Sequence, residues 1–190
     1  MTRIIAGAAR GRRLSVPRSG TRPTSDRARE AVFSALESKR NSLRGLVVLD
    51  LYAGSGALGL EALSRGAKRV DLVESIAAAA AHAQANIDAV GLPGAHLHFM
   101  PVERWITSRG ATPPADLVFA DPPYATDNEH LAAVLASLAI DGMAGDCSVV
   151  VERPSRAEAF EFPAGIEPTW ERRYGEATLR VGRFGSVTPC

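Results

Sequence analysis

Cysteine is scarce in this chain, which has only Cys147 and Cys190 among its 190 residues. Two cysteines do not make the disulfide framework that stabilises many small secreted domains. The amino terminus has a short apolar stretch followed by arginines, whereas an export signal places positive charge before a longer apolar region. We therefore expect the protein to be cytoplasmic.

Long apolar runs and metal-ligand groupings are also lacking. No stretch approaches the roughly 20 apolar residues that a membrane-spanning helix needs, so we expect no membrane association. The histidines, which are His82, His96, His98 and His130, do not combine with cysteines or acids at the spacing of a zinc site. His96 and His98 can share one face of a strand, but we expect no bound metal.

Lysine is nearly absent, with only Lys39 and Lys68, so the positive charge is almost entirely arginine. The formal net charge of +1 conceals a strong asymmetry, because residues 1–22 carry six arginines and no acid. They are Arg3, Arg10, Arg12, Arg13, Arg18 and Arg22. Guanidinium groups pair with phosphates and stack on bases, so a basic arm attached to a near-neutral core favours a polyanionic partner.

The basic arm also has a pattern of local structure. Two stretches, at 4–7 and 13–16, flank a turn rich in glycine and arginine and predict two short strands, which argues against a disordered tail. We therefore divide the chain into a basic arm, residues 1–25, and one core domain, residues 26–190. A length of 190 residues with 46% apolar content is enough for one substantial core.

Apolar strand patterns alternate with helical patterns along the core domain. Strands are predicted at 46–51, 69–74, 95–100, 116–120 and 146–152, with a hairpin at 170–184 that turns at Gly175-Glu176. Helices are predicted at 29–40, with a cap at 24–26, and at 57–65, 76–90, 102–109 and 128–139. This alternation predicts an α/β fold of three layers, in which helices cover a doubly wound, mostly parallel sheet that binds ligands at the carboxyl ends of its strands.

The tetrapeptide Asp121-Pro122-Pro123-Tyr124 follows the apolar run 117–120 and so lies at the end of a predicted strand. An exocyclic amine is a poor nucleophile because its lone pair is delocalised into the ring. The Asp121 carboxylate and the Pro122 carbonyl can accept hydrogen bonds from the amine and draw its nitrogen toward tetrahedral geometry, while Tyr124 stacks on the ring. The pattern is typical of methyl transfer to an amino group, although Asp-Pro-Pro also forms ordinary turns.

A glycine-rich turn connects the strand at 46–51 to the next helix. Gly54, Gly56 and Gly59 have the spacing that lets a ligand approach the backbone closely. Asp50 stands four residues before the first glycine, where its charge would repel a pyrophosphate but suit the ammonium and sulfonium groups of S-adenosylmethionine. We therefore predict S-adenosylmethionine as the cofactor, with NAD or FAD as the alternative that the glycines alone allow.

Acids fall at the ends of several predicted strands. Glu74 lies twenty residues after Gly54, where an acid can accept hydrogen bonds from ribose hydroxyls. Asp71, in the same strand, alternates with apolar residues and is expected to face solvent. Because Asp50, Glu74 and Asp121 all fall at carboxyl ends, we group them into one site.

These motifs, in this order, resemble those of the class I S-adenosylmethionine-dependent amino-methyltransferases. The amino-terminal pattern, at 3–7, 10–12, 22–30 and Phe33, is similar to that of a narrower group, the RsmD family of bacterial 16S rRNA guanine-N2 methyltransferases. The resemblance covers nearly the whole chain, and the arginine-rich arm is its most specific part. It implies a Rossmann-like sheet of seven strands with an antiparallel final strand, and methylation of N2 of guanine 966 in the small ribosomal subunit.

The resemblance also implies a role for each matching residue. The catalytic residues would be Asp121, Pro122, Pro123 and Tyr124, and the cofactor contacts would be Asp50, Tyr52, Ala53, Gly54, Ser55, Gly56, Gly59, Glu74 and Ser75. The RNA contacts would be Arg3, Arg10, Arg12, Arg13 and Arg22. Related enzymes often place Asp or Asn after the third strand to bind adenine, but this chain has Pro101 there, so the Val102 backbone N–H is predicted to make that contact. We expect a monomer that acts on 16S rRNA within the small subunit or its assembly intermediate.

Three alternatives stay open on the sequence alone. An adenine-N6 DNA methyltransferase uses the same tetrapeptide, but it usually needs a recognition region for which this chain has little room. A protein-glutamine methyltransferase more often has asparagine at the position of Asp121. A non-catalytic rRNA-binding assembly factor with a relict cofactor pocket is disfavoured by the complete set of site residues.

Overall fold

A computed structural model describes residues 2–16 and 26–185 of the chain. The strands are β1 (Thr2–Arg3), β2 (Arg13–Leu14), β3 (Val47–Leu51), β4 (Arg69–Glu74), β5 (Ala95–Phe99), β6 (Ala115–Ala120), β7 (Met143–Pro154), β8 (Ile166–Tyr174) and β9 (Ala177–Phe184). The helices are α1 (Asp26–Arg40), α2 (Ala57–Ser64), α3 (Ala77–Val90), α4 (Val102–Ser108) and α5 (Asn128–Ala139). No helix among these residues is long and apolar enough to cross a membrane.

Seven strands form the main sheet in the order β5-β4-β3-β6-β7-β9-β8. Strands β3 to β7 are parallel, and β9 inserts antiparallel between β7 and β8. The predicted α/β sheet, its antiparallel final strand and the hairpin turn at 175–176 are therefore confirmed. β7 is longer than predicted, and the two arm strands are only two residues each.

The strand order places a crevice at the centre of the sheet. The chain runs outward from β3 to β4 and β5, and then returns to β6 on the other side of β3. At such a switch point the connections leave the two neighbouring strands in opposite directions, which opens a ligand site beyond their carboxyl ends. Asp50, in β3, and Asp121, directly after β6, lie at this point.

The core has two layers, one on each face of the sheet. Helices α1, α2 and α3 pack on one face over residues such as Val48 and Phe119. Helices α4 and α5 cover the other face over residues such as Leu49 and Val118. Alternation along β3 and β6 puts Asp50 and Asp121 on the side of α1 to α3, so the site opens toward that layer.

The described part of the arm is packed into the first layer. Ile4 and Leu14 are buried in the same cluster as α1 and α2. The buried Glu61 carboxylate of α2 accepts hydrogen bonds from the backbone N–H groups of Ile5, at 2.7 Å, and Ala6, at 3.0 Å. Residues 2–16 are therefore held by specific polar contacts as well as by apolar packing.

The prediction that Asp71 faces solvent was wrong. Its side chain is only 2% exposed, accepts two hydrogen bonds from Arg69 at 2.6 and 2.8 Å, and lies 2.7 Å from His98 Nε2. Both faces of a central parallel strand are covered, so alternation with apolar residues does not imply exposure there. Despite burial, the hydrogen bonds from His98 and Arg69 hold the pKa of Asp71 below its usual value.

Candidate active site

A cavity of about 410 Å³ opens at the carboxyl ends of the central strands. Its lining includes most of the sequence-predicted site residues, namely Asp50, Tyr52, Ala53, Gly54, Ser55, Glu74, Ser75, Asp121, Pro122, Pro123 and Tyr124. Val16, Arg29, Ala57, Leu58, Ile76, Ala79, Ala125 and Glu152 complete it. The structure thus places the predicted cofactor loop and the predicted catalytic tetrapeptide in the wall of one cavity.

Glu74 fixes the glycine-rich loop against the end of β4. Its carboxylate accepts hydrogen bonds from the backbone N–H groups of Gly54, at 2.8 Å, and Ile76, at 2.7 Å. An ionised carboxylate has about four acceptor sites, so further donors from a ligand can still be accommodated. Glu74 therefore orders the loop while keeping capacity to bind hydroxyl groups.

The second and third glycines have different structural roles. Gly56 has φ of 78° and caps the start of α2 in the left-handed region, which glycine adopts without steric cost. Gly59 lies where α2 crosses the sheet, and its N–H donates to Asp50 Oδ2 at 2.8 Å. Neither residue lines the cavity, so both act by shaping the loop.

Replacement of Gly59 by alanine is expected to destabilise the fold by about 1–3 kcal/mol, as overpacking of a close contact does. The added Cβ would lie 2.5 Å from Leu72 Cδ2 and 2.7 Å from Val70 Cγ1. Urea unfolding measures the loss, and Gly145→Ala is the matched control because nothing lies within 4 Å of its Cβ position. Equal stability of the two variants would contradict the close packing of α2 on β4.

Asp50 is the most deeply buried acid of the cavity wall, with 2% of its surface exposed. Burial raises the pKa of Asp50 to about 7, although the hydrogen bond from Gly59 opposes this and the nearby Glu74 adds to it. A buried carboxyl with a raised pKa gains most from a neighbouring positive charge. The Asp50 carboxyl therefore favours a cationic ligand at this site.

Tyr52 combines an unusual backbone with a buried hydroxyl. Its φ of 60° lies in the left-handed region, which non-glycine residues adopt at a cost and which occurs often at functional sites. Its hydroxyl is buried without a hydrogen-bond partner among the described residues, and burial raises the pKa of Tyr52 to about 12. The phenol therefore stays protonated and can donate a hydrogen bond to a ligand.

The tetrapeptide after β6 has a buried start and an exposed end. Burial, then Glu152, then Asp50 raise the pKa of Asp121 well above its usual value, and Arg153 opposes this. Pro122 is buried, whereas the Tyr124 ring is 68% exposed. A flat substrate could reach the Tyr124 ring from solvent, with the Asp121 carboxyl beside it.

Arg29 is a site residue that sequence reasoning did not identify. Its side chain is fully buried, and Nη2 donates to the Arg3 carbonyl at 2.5 Å and to Asp26 Oδ1 at 2.9 Å. Its Nε and Nη1 atoms are buried without a partner among the described residues. A signal existed, because Arg29 stands three and four residues before Val32 and Phe33 on the apolar face of α1.

Glu152 and Arg153 were also missed, since they lie inside the predicted fifth strand or directly after it. Glu152 lines the cavity at the end of β7. Arg153 is buried, and its Nη2 donates to the Thr126 carbonyl at 2.5 Å, which ties β7 to the loop after the tetrapeptide. Their importance comes from strand register, which pairs Val151 with Ala120 and so places residues 152 and 153 beside Asp121.

Asn86 connects the arm to the cofactor loop, and no sequence motif pointed to it. Its Oδ1 accepts from the Ser15 N–H at 2.7 Å, and its Nδ2 donates to the carbonyls of Ser15 and Ser55, both at 2.8 Å. The residue is buried in α3. Asn86 therefore fixes the end of the described arm, where Val16 reaches the cavity wall.

Besides Gly56 and Gly59, two further sets of predicted residues lie outside the cavity. Val102 begins α4, its side chain is buried in the second core layer, and the cavity lining does not include it. The contact predicted for its backbone N–H stays a prediction. Arg3, Arg10, Arg12 and Arg13 are exposed on the arm, and Arg22 lies outside the described residues. Among residues 2–16 and 26–185, no group of three or more histidine, cysteine or acidic side chains could hold a metal ion.

Comparison with known proteins gives close relatives over most of the chain. A family model described as conserved hypothetical protein 95 matches residues 2–183. The ribosomal RNA small subunit methyltransferase D of Escherichia coli (strain K12) is 40% identical over 127 residues, covering 64% of this chain and 60% of that protein. The putative rRNA methyltransferase YlbH of Bacillus subtilis (strain 168) is 30% identical over 177 residues, covering 91% of this chain and 94% of that protein.

A solved structure agrees with these sequence matches. The putative methyltransferase yhhF from Escherichia coli has a TM-score of 0.82 at 31% identity, and the match covers 97% of this chain and 98% of that one. The sequence match to the Escherichia coli methyltransferase D spans less than two thirds of that relative, at 60%. The fold of this chain is thus shared over nearly its whole length with a solved protein of similar sequence.

Proposed function

Because the chain belongs to the RsmD family of class I methyltransferases, whose family model is described as conserved hypothetical protein 95, we propose that it methylates small-subunit ribosomal RNA with S-adenosylmethionine as the methyl donor. The observation that carries this proposal is the joining of the cofactor loop and the Asp121 tetrapeptide in one cavity. Neither motif alone would indicate a methyltransferase, because glycine-rich loops and Asp-Pro-Pro turns occur separately in many proteins.

The charges of the cavity fit S-adenosylmethionine better than a dinucleotide. Four acids line it, Asp50, Glu74, Asp121 and Glu152, and Arg29 is the only basic residue in the lining that the structure describes. A pyrophosphate would be repelled by these acids, whereas a sulfonium and an ammonium would be attracted. The one carboxylate of the cofactor needs a cation, and Arg29 offers two unpartnered nitrogens for it.

The fit gives each wall of the cavity a role toward the cofactor. Glu74 would accept hydrogen bonds from the ribose hydroxyls, and Asp50 would offset positive charge near the glycine-rich loop. Arg29 would bind the methionyl carboxylate, and the half-exposed Ile76 side chain would supply apolar packing against adenine beside the hydrogen bond predicted for the Val102 backbone N–H. When bound, the cofactor supplies an electrophilic methyl group on a positively charged sulfur.

Cofactor affinity is expected to fall as the pH is lowered from 8 to 6. The raised pKa of Asp50, about 7, means that its carboxyl is increasingly protonated below that pH in the free protein, and the cation binds the ionised form. The loss approaches about tenfold for each pH unit below the pKa. Calorimetric titration of the protein and of Asp50→Asn isolates this contribution, because titration of the cofactor's own amine affects both. Parallel pH profiles would contradict the role of Asp50.

The tetrapeptide after β6 would position the amine that is methylated. The Asp121 carboxylate and the Pro122 carbonyl accept hydrogen bonds from its two N–H groups, and Tyr124 stacks on the ring. This arrangement aims the nitrogen lone pair at the methyl group, so most of the rate enhancement comes from positioning. The amine proton becomes acidic once the nitrogen is alkylated, and Asp121 is placed to accept it.

The finer specificity that we propose is the N2 amine of guanine 966 in 16S rRNA, which resemblance to the RsmD family implies. Exposed arginines of the arm, Arg3, Arg10, Arg12 and Arg13, would bind rRNA phosphates, and Arg22 is the further arginine proposed for this role. The target guanine would leave its stack to reach Tyr124. We further propose that the enzyme acts as a monomer, and an rRNA substrate would place it in the cytoplasm.

Transfer of labelled methyl groups tests the proposal at the level of reaction class. The protein and labelled S-adenosylmethionine are incubated in parallel with small ribosomal subunits that lack guanine-N2 methylation, naked 16S rRNA, DNA and a protein extract. Label in rRNA supports the proposal. Label only in DNA or protein would discard the rRNA substrate, and cofactor binding without any transfer would favour a non-catalytic assembly factor.

A further inference from the structure

The hairpin of β8 and β9 projects past the active site. Ala120, the last residue of β6, pairs with Val151, and β7 then continues to Pro154, which pairs with Ala177 at the start of β9. Three further residues of strand extend about 10 Å. The hairpin turn at 175–176 therefore stands beyond the carboxyl edge of the sheet, on the same side as the cavity.

The end of this hairpin presents arginines and aromatic rings. Arg172 and Arg173 are exposed, and the Arg172 guanidinium carbon lies 6.0 Å from the centre of the partly buried Trp170 ring. Tyr174, also partly buried, ends β8. Arginine next to aromatic side chains is the combination that binds phosphates and unstacked bases of single-stranded nucleic acid.

A third arginine is held beside the hairpin turn. The Ser155 N–H donates to the Glu176 carbonyl at 2.7 Å, and its hydroxyl donates to the Gly175 carbonyl at 3.2 Å. The next residue, Arg156, is exposed. Residues 155–156 and 170–176 contain two acids, of which Glu171 pairs with Arg180 at 2.8 Å outside this set. The three exposed arginines therefore outnumber the one remaining acid, Glu176, and give the tip a net positive charge.

The strand register directs this surface toward the site. Trp170 pairs with Val181 and Arg172 with Leu179, and directly paired residues of antiparallel strands point to the same face. Val181 and Leu179 belong to the core layer of α1 and the arm, which is also the face of Asp121. Trp170 and Arg172 therefore share the face on which the cavity opens. Arg173, which pairs with Thr178, points to the other face at the end of the hairpin, where its Nε donates to the Gly175 carbonyl at 3.1 Å.

The hairpin and the arm lie on opposite sides of the cavity. The arm is bonded to α2 and α3, which pack on β3, β4 and β5. β8 lies at the other end of the sheet, three strands from β6, or about 14 Å at ordinary strand spacing. An RNA strand that places a base on Tyr124 would thus run between two sets of exposed arginines.

We propose that the tip of the β8–β9 hairpin, formed by Arg156, Arg172, Arg173 and Tyr174, together with the Trp170 ring next to Arg172 on the face of the cavity, is a second RNA-binding surface. It binds phosphates and stacks on an unpaired base of the strand on the side of the target opposite the arm. This inference rests on the proposed rRNA substrate. It assigns to the hairpin a role in holding RNA across the active site.

The test compares the protein with the double variant Arg172→Ala, Arg173→Ala in binding to a labelled 16S rRNA fragment over a range of salt concentrations. The variant is expected to bind about tenfold more weakly near physiological salt, with a salt slope smaller by about one for each phosphate that the protein no longer binds. Affinity for S-adenosylmethionine should stay unchanged, which shows that the fold is intact. The matched control is Arg44→Ala, Lys68→Ala. It removes two exposed charges that lie just before β3 and β4, at the amino ends of the strands, whereas the cavity lies at their carboxyl ends.

The double variant Arg172→Lys, Arg173→Lys distinguishes the contribution of positive charge from that of the planar guanidinium group. Lysines keep the salt slope but cannot make bidentate pairs or stack, so an intermediate affinity is expected. Unchanged RNA affinity in the alanine pair, or the same loss in the matched control, would overturn the inference while leaving the proposed function standing. New self-association of the alanine pair at unchanged RNA affinity would mean that the arginines only protect an edge strand. Failure of the unaltered protein to bind any rRNA would overturn both.

Discussion

Replacement of Asp121 by alanine is expected to lower kcat for methyl transfer by at least about 100-fold, the scale of losing one positioned hydrogen-bond partner of the reacting group. Asp121 lies at the end of β6, beside Glu152 and within the electrostatic reach of Asp50. Without it the amine keeps only the Pro122 carbonyl as acceptor and is free to rotate. Single-turnover transfer at saturating cofactor measures the chemical step directly.

Two comparisons isolate this effect from damage to the fold. Asp121→Asn keeps one acceptor oxygen and should fall between the alanine variant and the unaltered protein. Glu129→Gln removes an exposed carboxylate from nearby α5 and should leave kcat unchanged. Cofactor affinity should change little in Asp121→Ala, because the assigned cofactor contacts come from α1, β3, β4 and the loops that follow β3 and β4. A full transfer rate in Asp121→Ala would remove that residue from the mechanism.

Replacement of Arg29 by methionine is expected to weaken S-adenosylmethionine binding by at least about 10- to 100-fold, the effect of losing one hydrogen bond to a charged group, which contributes about 1.5–3 kcal/mol. Methionine keeps much of the buried volume but cannot bind a carboxylate. The reason for the expectation is the pair of unpartnered guanidinium nitrogens in a cavity whose other charged groups are acids. Calorimetric titration gives the affinity.

A cofactor fragment distinguishes carboxylate binding from a general loss of structure. Methylthioadenosine has the adenosine part of the cofactor but no carboxylate, so Arg29→Met should bind it as well as the unaltered protein does. Arg29→Lys, which restores a cation, should recover part of the affinity for the whole cofactor. An equal loss for the cofactor and the fragment would show that Arg29 only supports α1, through its bonds to Arg3 and Asp26.

Strand and helix periodicity predicted the sheet well, because parallel strands covered on both faces are short apolar runs with clear limits. Because helices cover both faces of the sheet, the prediction that Asp71 is exposed was wrong. Alternation identifies a solvent face only where one exists, and β4 has neighbours on both sides and helices on both faces. Its acid is stabilised instead by Arg69 and His98, a pairing that depends on register with β5.

The site residues that could be predicted are those whose position follows from a nearby sequence motif. Asp50, Glu74 and Asp121 each end a strand, and parallel strands bring such ends together. Arg29 and Asn86 are different, since their partners Arg3, Ser15 and Ser55 lie 26 or more residues away, and these contacts depend on how α1 and α3 pack. Sequence patterns indicate which face of a helix is buried, but they do not identify the polar group of another element that a side chain on that face will contact.

The most direct test of the proposed function is nucleoside analysis by mass spectrometry of small ribosomal subunits that lack guanine-N2 methylation, after incubation with the protein and S-adenosylmethionine. We expect N2-methylguanosine at one site in 16S rRNA, and we expect it to be absent when Asp121→Ala is used. Methylation of another atom or another class of molecule, or an unmodified subunit despite bound cofactor, would contradict the proposed function.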